Sequence, residues 1–298
     1  MPHARAVVLA GGDGTQNTTA PTDDFGWANV GRVYDTADGF FVSGVYVGDG
    51  WMLSAYHGVR DGGATGFQFG TVILNGSNYS VNAGTAVRLQ NADTTLTDVA
   101  LFQLSSTPAG LPSLTLASAN PTSELSLSMM GNGPDRNASE THWNVNTVPD
   151  PWTWAEIGGV GNAQGYKWTP GQQSLRWGTN NITAFGSGST TAVIDDGMGV
   201  ITTFKTNFNN STDEAQAGGG DSGGGVFWKE GSDWVLGGIM LTTAAYSGQP
   251  SGTSVYGDET YSANVATYRS QITSIIPEPS SALLVMIGMG LIARRRRL

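Results

Sequence analysis

The 298-residue chain contains no cysteine and little charge of either sign. The lack of cysteine excludes a disulfide framework, a thiol nucleophile and a zinc–thiolate site. Charged residues make up 13 % of the chain, which is unlike a protein built from long, ion-paired surface helices. Nothing in the sequence demands a metal or another cofactor.

Positive charge is also scarce, and it is placed unevenly. Four of the 14 basic residues are the arginines at 294–297, and the formal net charge is −10. Residues 1–276 therefore carry 10 basic and 23 acidic residues, a formal charge of −13. A surface of this kind repels phosphate backbones, which argues against nucleic-acid binding.

The body of the chain is rich in glycine and in short apolar runs. There are 43 glycines, and hydrophobic residues make up 39 %, enough for a core. Runs such as 40–47 and 51–55, separated by Gly48-Asp49-Gly50, predict strands joined by tight turns. Similar runs continue to 104, and a second set starts near 125 after a proline-containing connector at 107–122. Helical spacing predicts one helix at about 262–275, so we expect an all-β protein in two halves with a late helix.

The two ends have different compositions from the body. At the front, Arg5 is followed by only five apolar residues, too few for an ordinary signal peptide. We therefore expect either a true start farther upstream or an atypical leader, and we interpret residues 1–24 as a leader or disordered lead-in. At the other end, Pro277-Glu278-Pro279 precedes a nearly apolar stretch at 280–293 and four arginines.

This C-terminal order resembles the PEP-CTERM sorting signal of Gram-negative bacteria. The resemblance implies export, retention in the inner membrane through a hydrophobic tail helix at 277–298, and processing by an exosortase-type enzyme. Delivery to the cell surface or the extracellular space follows. An ordinary C-terminal anchor with its arginines in the cytoplasm is the alternative.

Three separated segments contain residues suited to nucleophilic catalysis. The run 51–57 reads Trp-Met-Leu-Ser-Ala-Tyr-His and ends at His57. The run 97–104 places Asp98 directly before apolar residues. The run 218–225 reads Gly-Gly-Gly-Asp-Ser-Gly-Gly-Gly, and its glycines permit the sharp bend that projects the Ser222 hydroxyl.

These segments resemble the W-V-L-T-A-A-H, D-I-A-L-L and G-D-S-G-G motifs of the trypsin/chymotrypsin family. The resemblance implies two antiparallel β-barrels, at about 25–115 and 120–262, with the active site in the cleft between them. His57 is then the general base, Asp98 orients its ring, and Ser222 is the nucleophile. The backbone N–H groups of Gly220 and Ser222 form the oxyanion hole.

The serine segment also satisfies G-x-S-x-G, the nucleophile elbow of α/β-hydrolases. That fold needs its histidine after the serine, whereas the histidines here are His3, His57 and His142. The order His–Asp–Ser favours the trypsin/chymotrypsin family.

The resemblance also implies a primary substrate pocket. Its floor falls at Gln216, six residues before the nucleophile, and a neutral floor argues against strict cleavage after Lys or Arg. The strand at 237–241, with Gly238 and Leu241, is expected to pair with the substrate backbone. Asp221 often pairs with a newly cut N-terminus in the family, but no Ile-Val-Gly-Gly segment is present here. We therefore expect backbone donors or another side chain to satisfy Asp221.

The sequence thus predicts an exported serine endopeptidase domain at 25–275 that acts on protein or peptide substrates. The alternative is a non-catalytic matrix or surface-binding protein on a protease scaffold.

Overall fold

The computed structural model describes residues 7–23, 25–36, 39–63, 65–148 and 150–276. About half of these residues lie in β-strands, and one α-helix, α1, spans Val265–Ile275. The all-β class predicted from the sequence is confirmed. The strands of the N-terminal half are β1 (Val8–Leu9), β2 (Val30–Asp35), β3 (Phe40–Gly48), β4 (Trp51–Ala55), β5 (Val72–Leu74), β6 (Ser77–Tyr79), β7 (Val81–Gln90) and β8 (Leu96–Leu104).

The C-terminal half is made of thirteen described strands. They are β9 (Ser126–Gly131), β10 (Pro134–Arg136), β11 (Thr141–Asn146), β12 (Thr153–Ile157), β13 (Ala163–Gln173), β14 (Arg176–Thr183), β15 (Ala192–Asp195), β16 (Val200–Asn207), β17 (Ala215–Gln216), β18 (Gly225–Glu230), β19 (Asp233–Ala244), β20 (Thr253–Val255) and β21 (Glu259–Asn264).

Seven strands of the N-terminal half form one antiparallel sheet in the order β6-β5-β2-β3-β4-β8-β7. The β3–β4 hairpin turns at the predicted Asp49-Gly50, where both residues have positive φ. Such a turn matches the twist of the strands it joins. This sheet carries His57 and Asp98.

A second seven-stranded sheet has the order β14-β9-β18-β19-β21-β16-β15. Strand β14 also pairs with β16, so the pairings run around a ring of six strands. The pairings described for the first sheet do not form such a ring. An arrangement of two barrels therefore stays a prediction. A third sheet, β10-β13-β11-β12 with β20 beside β13, stands next to the second.

One hydrophobic cluster joins the two halves. Val45 and Leu53 of the first sheet belong to the same buried cluster as Met130 and Ile239 of the second. Helix α1 contributes Ile272 to it. Because the halves share this core, the residues of the first sheet are held at fixed positions relative to those of the second.

The segment 7–10, assigned from sequence to a lead-in, lies inside the protein. Its four residues are fully buried. Strand β1 pairs antiparallel with β17, opposing Val8 to Gln216. Arg136 donates from Nε to the carbonyl of Leu9 at 2.7 Å, and its guanidinium lies 3.7 Å from the centre of the Tyr166 ring.

The C-terminal end of the described chain is helix α1, which starts three residues later than expected. Residues 262–264 instead extend β21 along β16 and β19. None of the helices in the described ranges is long and apolar enough to cross a membrane. The predicted tail helix at 277–298 lies outside the described residues.

Candidate active site

His57 and Asp98 form a closely bonded pair. Strand β4 ends at Ala55, and a 3-10 turn, Tyr56–Gly58, presents the histidine. Asp98 lies near the start of β8, which pairs with β4 so that Val99 opposes Ala55. The Asp98 carboxylate accepts the backbone N–H of His57 at 2.9 Å and lies 2.6 Å from ring Nδ1. This bond fixes the ring orientation and leaves Nε2 as the proton acceptor of the neutral imidazole.

The surroundings favour the charged imidazolium. Burial lowers the pKa of His57, but the hydrogen bond and charge of Asp98 and the charge of Asp196 outweigh it, so the pKa is raised above its ordinary value. Arg60 opposes this rise weakly. The side chain of His57 is 28 % exposed and that of Asp98 is 2 % exposed. A proton can therefore enter and leave through the histidine while the aspartate stays shielded from water.

Asp196 is a second carboxylate near this pair, and sequence reasoning missed it. It lies in the β15–β16 turn, where one carboxylate oxygen accepts the N–H groups of Met198 and Gly199, both at 2.9 Å. The other oxygen is buried and has no partner among the described residues. Burial and the neighbouring Asp98 raise the pKa of Asp196.

The Ser222 loop is shaped by glycines and docked on the first sheet. Gly220 and Gly223 have φ of +103° and +86°, in the region that favours glycine. A Cβ at Gly223 would lie 2.2 Å from the carbonyl oxygen of Ser43, so no side chain fits there. The N–H of Ser43 donates to the carbonyl of Ser222 at 2.9 Å, which ties the loop to β3.

Ser222 Oγ donates to the carbonyl of Leu241 at 3.3 Å. No hydrogen bond joins it to His57 in the described part of the chain. The loop nevertheless lies against β4, since a Cβ at Gly223 would also come within 2.9 Å of the backbone nitrogen of Ala55. Ala55 is two residues before His57. Hydrogen bonds to a general base often tighten only when substrate is bound.

Ser43 also bonds to the backbone beside Ser222. Its hydroxyl donates to the carbonyl of Gly220 at 2.9 Å and accepts the N–H of Asn132 at 2.7 Å. The N–H groups of Gly220 and Ser222 bond to no other described residue. Two adjacent backbone donors without protein partners suit an anion.

Asp221 is buried beneath the loop. It accepts the N–H groups of Gly218, at 2.8 Å, and Gly133. Burial raises the pKa of Asp221 to about 7, against these two donors and the charge of Arg176. Backbone donors therefore bond to one oxygen of this carboxylate, as expected from the sequence, whereas its Oδ1 has no partner among the described residues.

A cavity of about 240 Å³ opens beside Ser222. Its walls come from the ring of Trp168, the loop at 217–219 and the strand at 240–243, and none of its lining residues is charged. Trp168 lies on β13 and donates from Nε1 to Ser254 Oγ at 3.0 Å. This residue was not found from sequence, because it is distant from all three motifs.

The three predicted pocket residues lie at different places. Leu241 lines the cavity. Gln216 is buried behind it and accepts from Thr260 Oγ1 at 3.0 Å. Gly238 lies against Phe204, whose ring would be 2.4 Å from a Cβ there. Neither Gln216 nor Gly238 is among the lining residues.

The strand that borders the cavity has a free edge. The pairing of β18 with β19 ends at Ile239, and β21 continues along the other side as far as Ala244. Within the described chain, the edge from Leu241 to Ala244 therefore has no strand partner on the side of Ser222. Such an edge accepts an extended peptide by backbone hydrogen bonding.

Comparison with known families agrees with this geometry. The model of the trypsin-like peptidase domain matches residues 39–237, a range that includes His57, Asp98 and Ser222. The PEP-CTERM protein-sorting motif matches residues 276–297. Comparison with curated proteins gives no match. Because the first match covers more than half of the chain, the protein belongs to the trypsin-like peptidase family and carries an export-sorting motif.

Proposed function

We propose that the protein is a serine endopeptidase that cleaves peptide bonds through an acyl-enzyme intermediate. The observation that carries the proposal is that two hydrogen bonds join His57 to Asp98. Beside this pair, Ser43 holds the Ser222 loop against the same sheet. The family match supports hydrolysis of peptides in general.

Each group has one role in the proposed reaction. Ser222 Oγ attacks the scissile carbonyl while His57 Nε2 takes its proton. Asp98 stabilises the imidazolium that forms. The N–H groups of Gly220 and Ser222 receive the oxyanion, and collapse of the tetrahedral intermediate returns the proton to the leaving amine. Water then repeats the sequence on the acyl-enzyme and releases the acid.

The substrate is an extended protein segment with an uncharged residue at the cleaved position. The free edge of β19 supplies backbone hydrogen bonds, and the cavity beside Ser222 takes the side chain. Because no carboxylate lines this cavity, it offers no partner for Lys or Arg.

The sorting motif implies export in a Gram-negative bacterium and processing by an exosortase-type enzyme. We propose in addition that the stretch 280–293 holds the unprocessed protein in the inner membrane. The peptidase domain then acts at the cell surface or outside the cell.

Labelling with a fluorophosphonate probe tests the proposal. Wild-type protein is expected to label, and Ser222→Ala to lose labelling together with a factor of about 10⁴ to 10⁶ in hydrolysis. Casein zymography of both proteins gives the second readout. An intact, folded wild type that neither labels nor clears casein would identify a non-catalytic surface or matrix protein on a protease scaffold.

A further inference from the structure

Three aromatic rings lie just beyond the free edge of β19. Trp152 and Tyr246 are stacked, with ring centres 5.8 Å apart and an interplanar angle of 25°. Trp154 packs on Tyr246 at 6.2 Å. We call these three residues the aromatic shelf. Tyr246 is 38 % exposed, and both tryptophans are partly exposed, so the shelf faces solvent in part.

Hydrogen bonds and close packing hold the shelf in place. Trp154 Nε1 donates to the carbonyl of Ser247 at 3.0 Å, and Ser247 Oγ donates to Asp150 at 2.6 Å. Gly248 has φ of +66°, and a Cβ there would lie 2.1 Å from the carbonyl oxygen of Trp152. The two loops therefore fit together only through glycine, and the rings need little ordering when a ligand binds.

The shelf is continuous with the proposed catalytic site. The carbonyl of Leu241 accepts a hydrogen bond from the Ser222 hydroxyl. From Leu241, strand β19 continues to Ala244, and Tyr246 follows two residues later. At no more than about 3.3 Å per residue, the shelf begins within roughly 16 Å of Leu241. A peptide paired antiparallel to this edge runs from the shelf towards Ser222. Its residues over the shelf therefore precede the scissile bond.

We infer that the aromatic shelf is a substrate subsite for an aromatic or large apolar side chain about four to six residues before the cleaved bond. This inference rests on the proposed endopeptidase function. The partly exposed rings favour aromatic and apolar groups. Asp150 beside them disfavours an acidic side chain.

Peptide substrates of two lengths test the inference. All share the same residues around the cleaved bond; the long ones add an upstream segment with Phe, Ala or Asp at the shelf position, and the short ones lack it. For wild type, kcat/KM is expected to be about three- to tenfold higher with Phe than with Ala, and lowest with Asp.

Variants then test whether the higher kcat/KM with Phe depends on the aromatic shelf. Tyr246→Ala and, separately, Trp152→Ala are expected to abolish the preference for Phe and to leave the short peptides unaffected. Tyr246→Phe is the matched control, because it keeps the ring and removes only the hydroxyl that donates to Tyr256 at 3.4 Å. It should keep the preference.

The outcomes separate the two proposals. If even the short peptides are not hydrolysed, the proposed function fails. If the short peptides are cut but the long ones show equal kcat/KM for Phe, Ala and Asp, the inference is overturned. It is also overturned if Tyr246→Ala changes the sedimentation of the protein and leaves the Phe preference intact, because the shelf is then a contact between copies of this chain.

Discussion

Ser43 Oγ donates a 2.9 Å hydrogen bond to the carbonyl of Gly220, linking the first sheet to the loop that carries Ser222. The bond anchors the Gly220–Asp221 peptide plane, which adjoins the Gly220 N–H, and that N–H bonds to no other described residue. In the proposed mechanism this N–H receives the oxyanion. The Ser43 hydroxyl is thus expected to influence how tightly the site binds the transition state, although it does not contact the substrate.

Replacement Ser43→Ala tests this relation. The carbonyl of Gly220 and the N–H of Asn132 both lose their partner, so the Gly220–Asp221 peptide plane is held less firmly and the adjoining Gly220 N–H is positioned less precisely. We expect kcat to fall by about 10- to 100-fold with little change in KM, less than the loss for a deleted oxyanion donor. Steady-state kinetics on one peptide checks it. Ser54→Ala is the control, since it removes a buried hydroxyl bonded to the Ser43 carbonyl but not to Gly220. Equal kcat values for the two variants would contradict the assignment.

Asp98→Asn is expected to lower kcat by about 10⁴ while leaving the fold intact. An amide in this position favours the wrong tautomer of His57 and no longer stabilises the imidazolium. The pKa of His57, followed by NMR titration, should fall because the largest influence that raises it is removed. An unchanged pKa would show that the 2.6 Å contact does not persist in solution.

Asp196→Asn is expected to shift the pH profile of kcat/KM. The groups whose charges act on His57 are Asp98, Asp196 and Arg60, and the two acids raise its pKa. Activity needs the neutral imidazole, so it rises with pH through this pKa. Without the Asp196 charge the acid limb should move to lower pH, and relative activity at acidic pH should increase. Asp195→Asn, a neighbouring exposed acid, is the control; an identical shift in both would assign the effect to general surface charge.

Asp221→Asn is expected to change how stability depends on pH. The pKa of Asp221 is raised from 3.8 to about 7, so the folded state holds a proton that the unfolded state has released between these values. Stability contributed at this site is therefore greatest at acidic pH and is lost as pH rises towards 7. Asparagine can keep an acceptor for the Gly218 N–H and cannot ionise. Urea unfolding at pH 4.5 and 8 should show a smaller decline for the variant. A parallel decline in both proteins would contradict the assignment.

The three segments of the proposed triad are visible in the sequence because each one is local. A strand ending in histidine, an aspartate before an apolar run and a glycine-rich serine loop all carry their signal within eight residues. Ser43 carries none, since a serine inside an apolar strand looks like an ordinary strand residue. Its contacts are with Asn132 and Gly220, which only the folded chain brings to it.

The N-terminal segment and strand β13 of the third sheet were missed for similar reasons. Four apolar residues at 7–10 followed by glycines resemble a lead-in, and their partners lie more than 120 residues away. Strand β13 contains alanine, glycine, lysine and proline, which have low strand propensity. It forms because β10, β11 and β20 supply hydrogen-bonding partners. The helix start was misjudged since 262–264 find ladder partners in β16 and β19.

Burial of β1 also limits how the protein can mature. A peptidase that trimmed the chain beyond Val7 would strip apolar side chains from the interior and leave the carbonyl-binding guanidinium of Arg136 without its acceptor at Leu9. Any export-linked removal of N-terminal residues that yields a folded enzyme must therefore cut ahead of Val7.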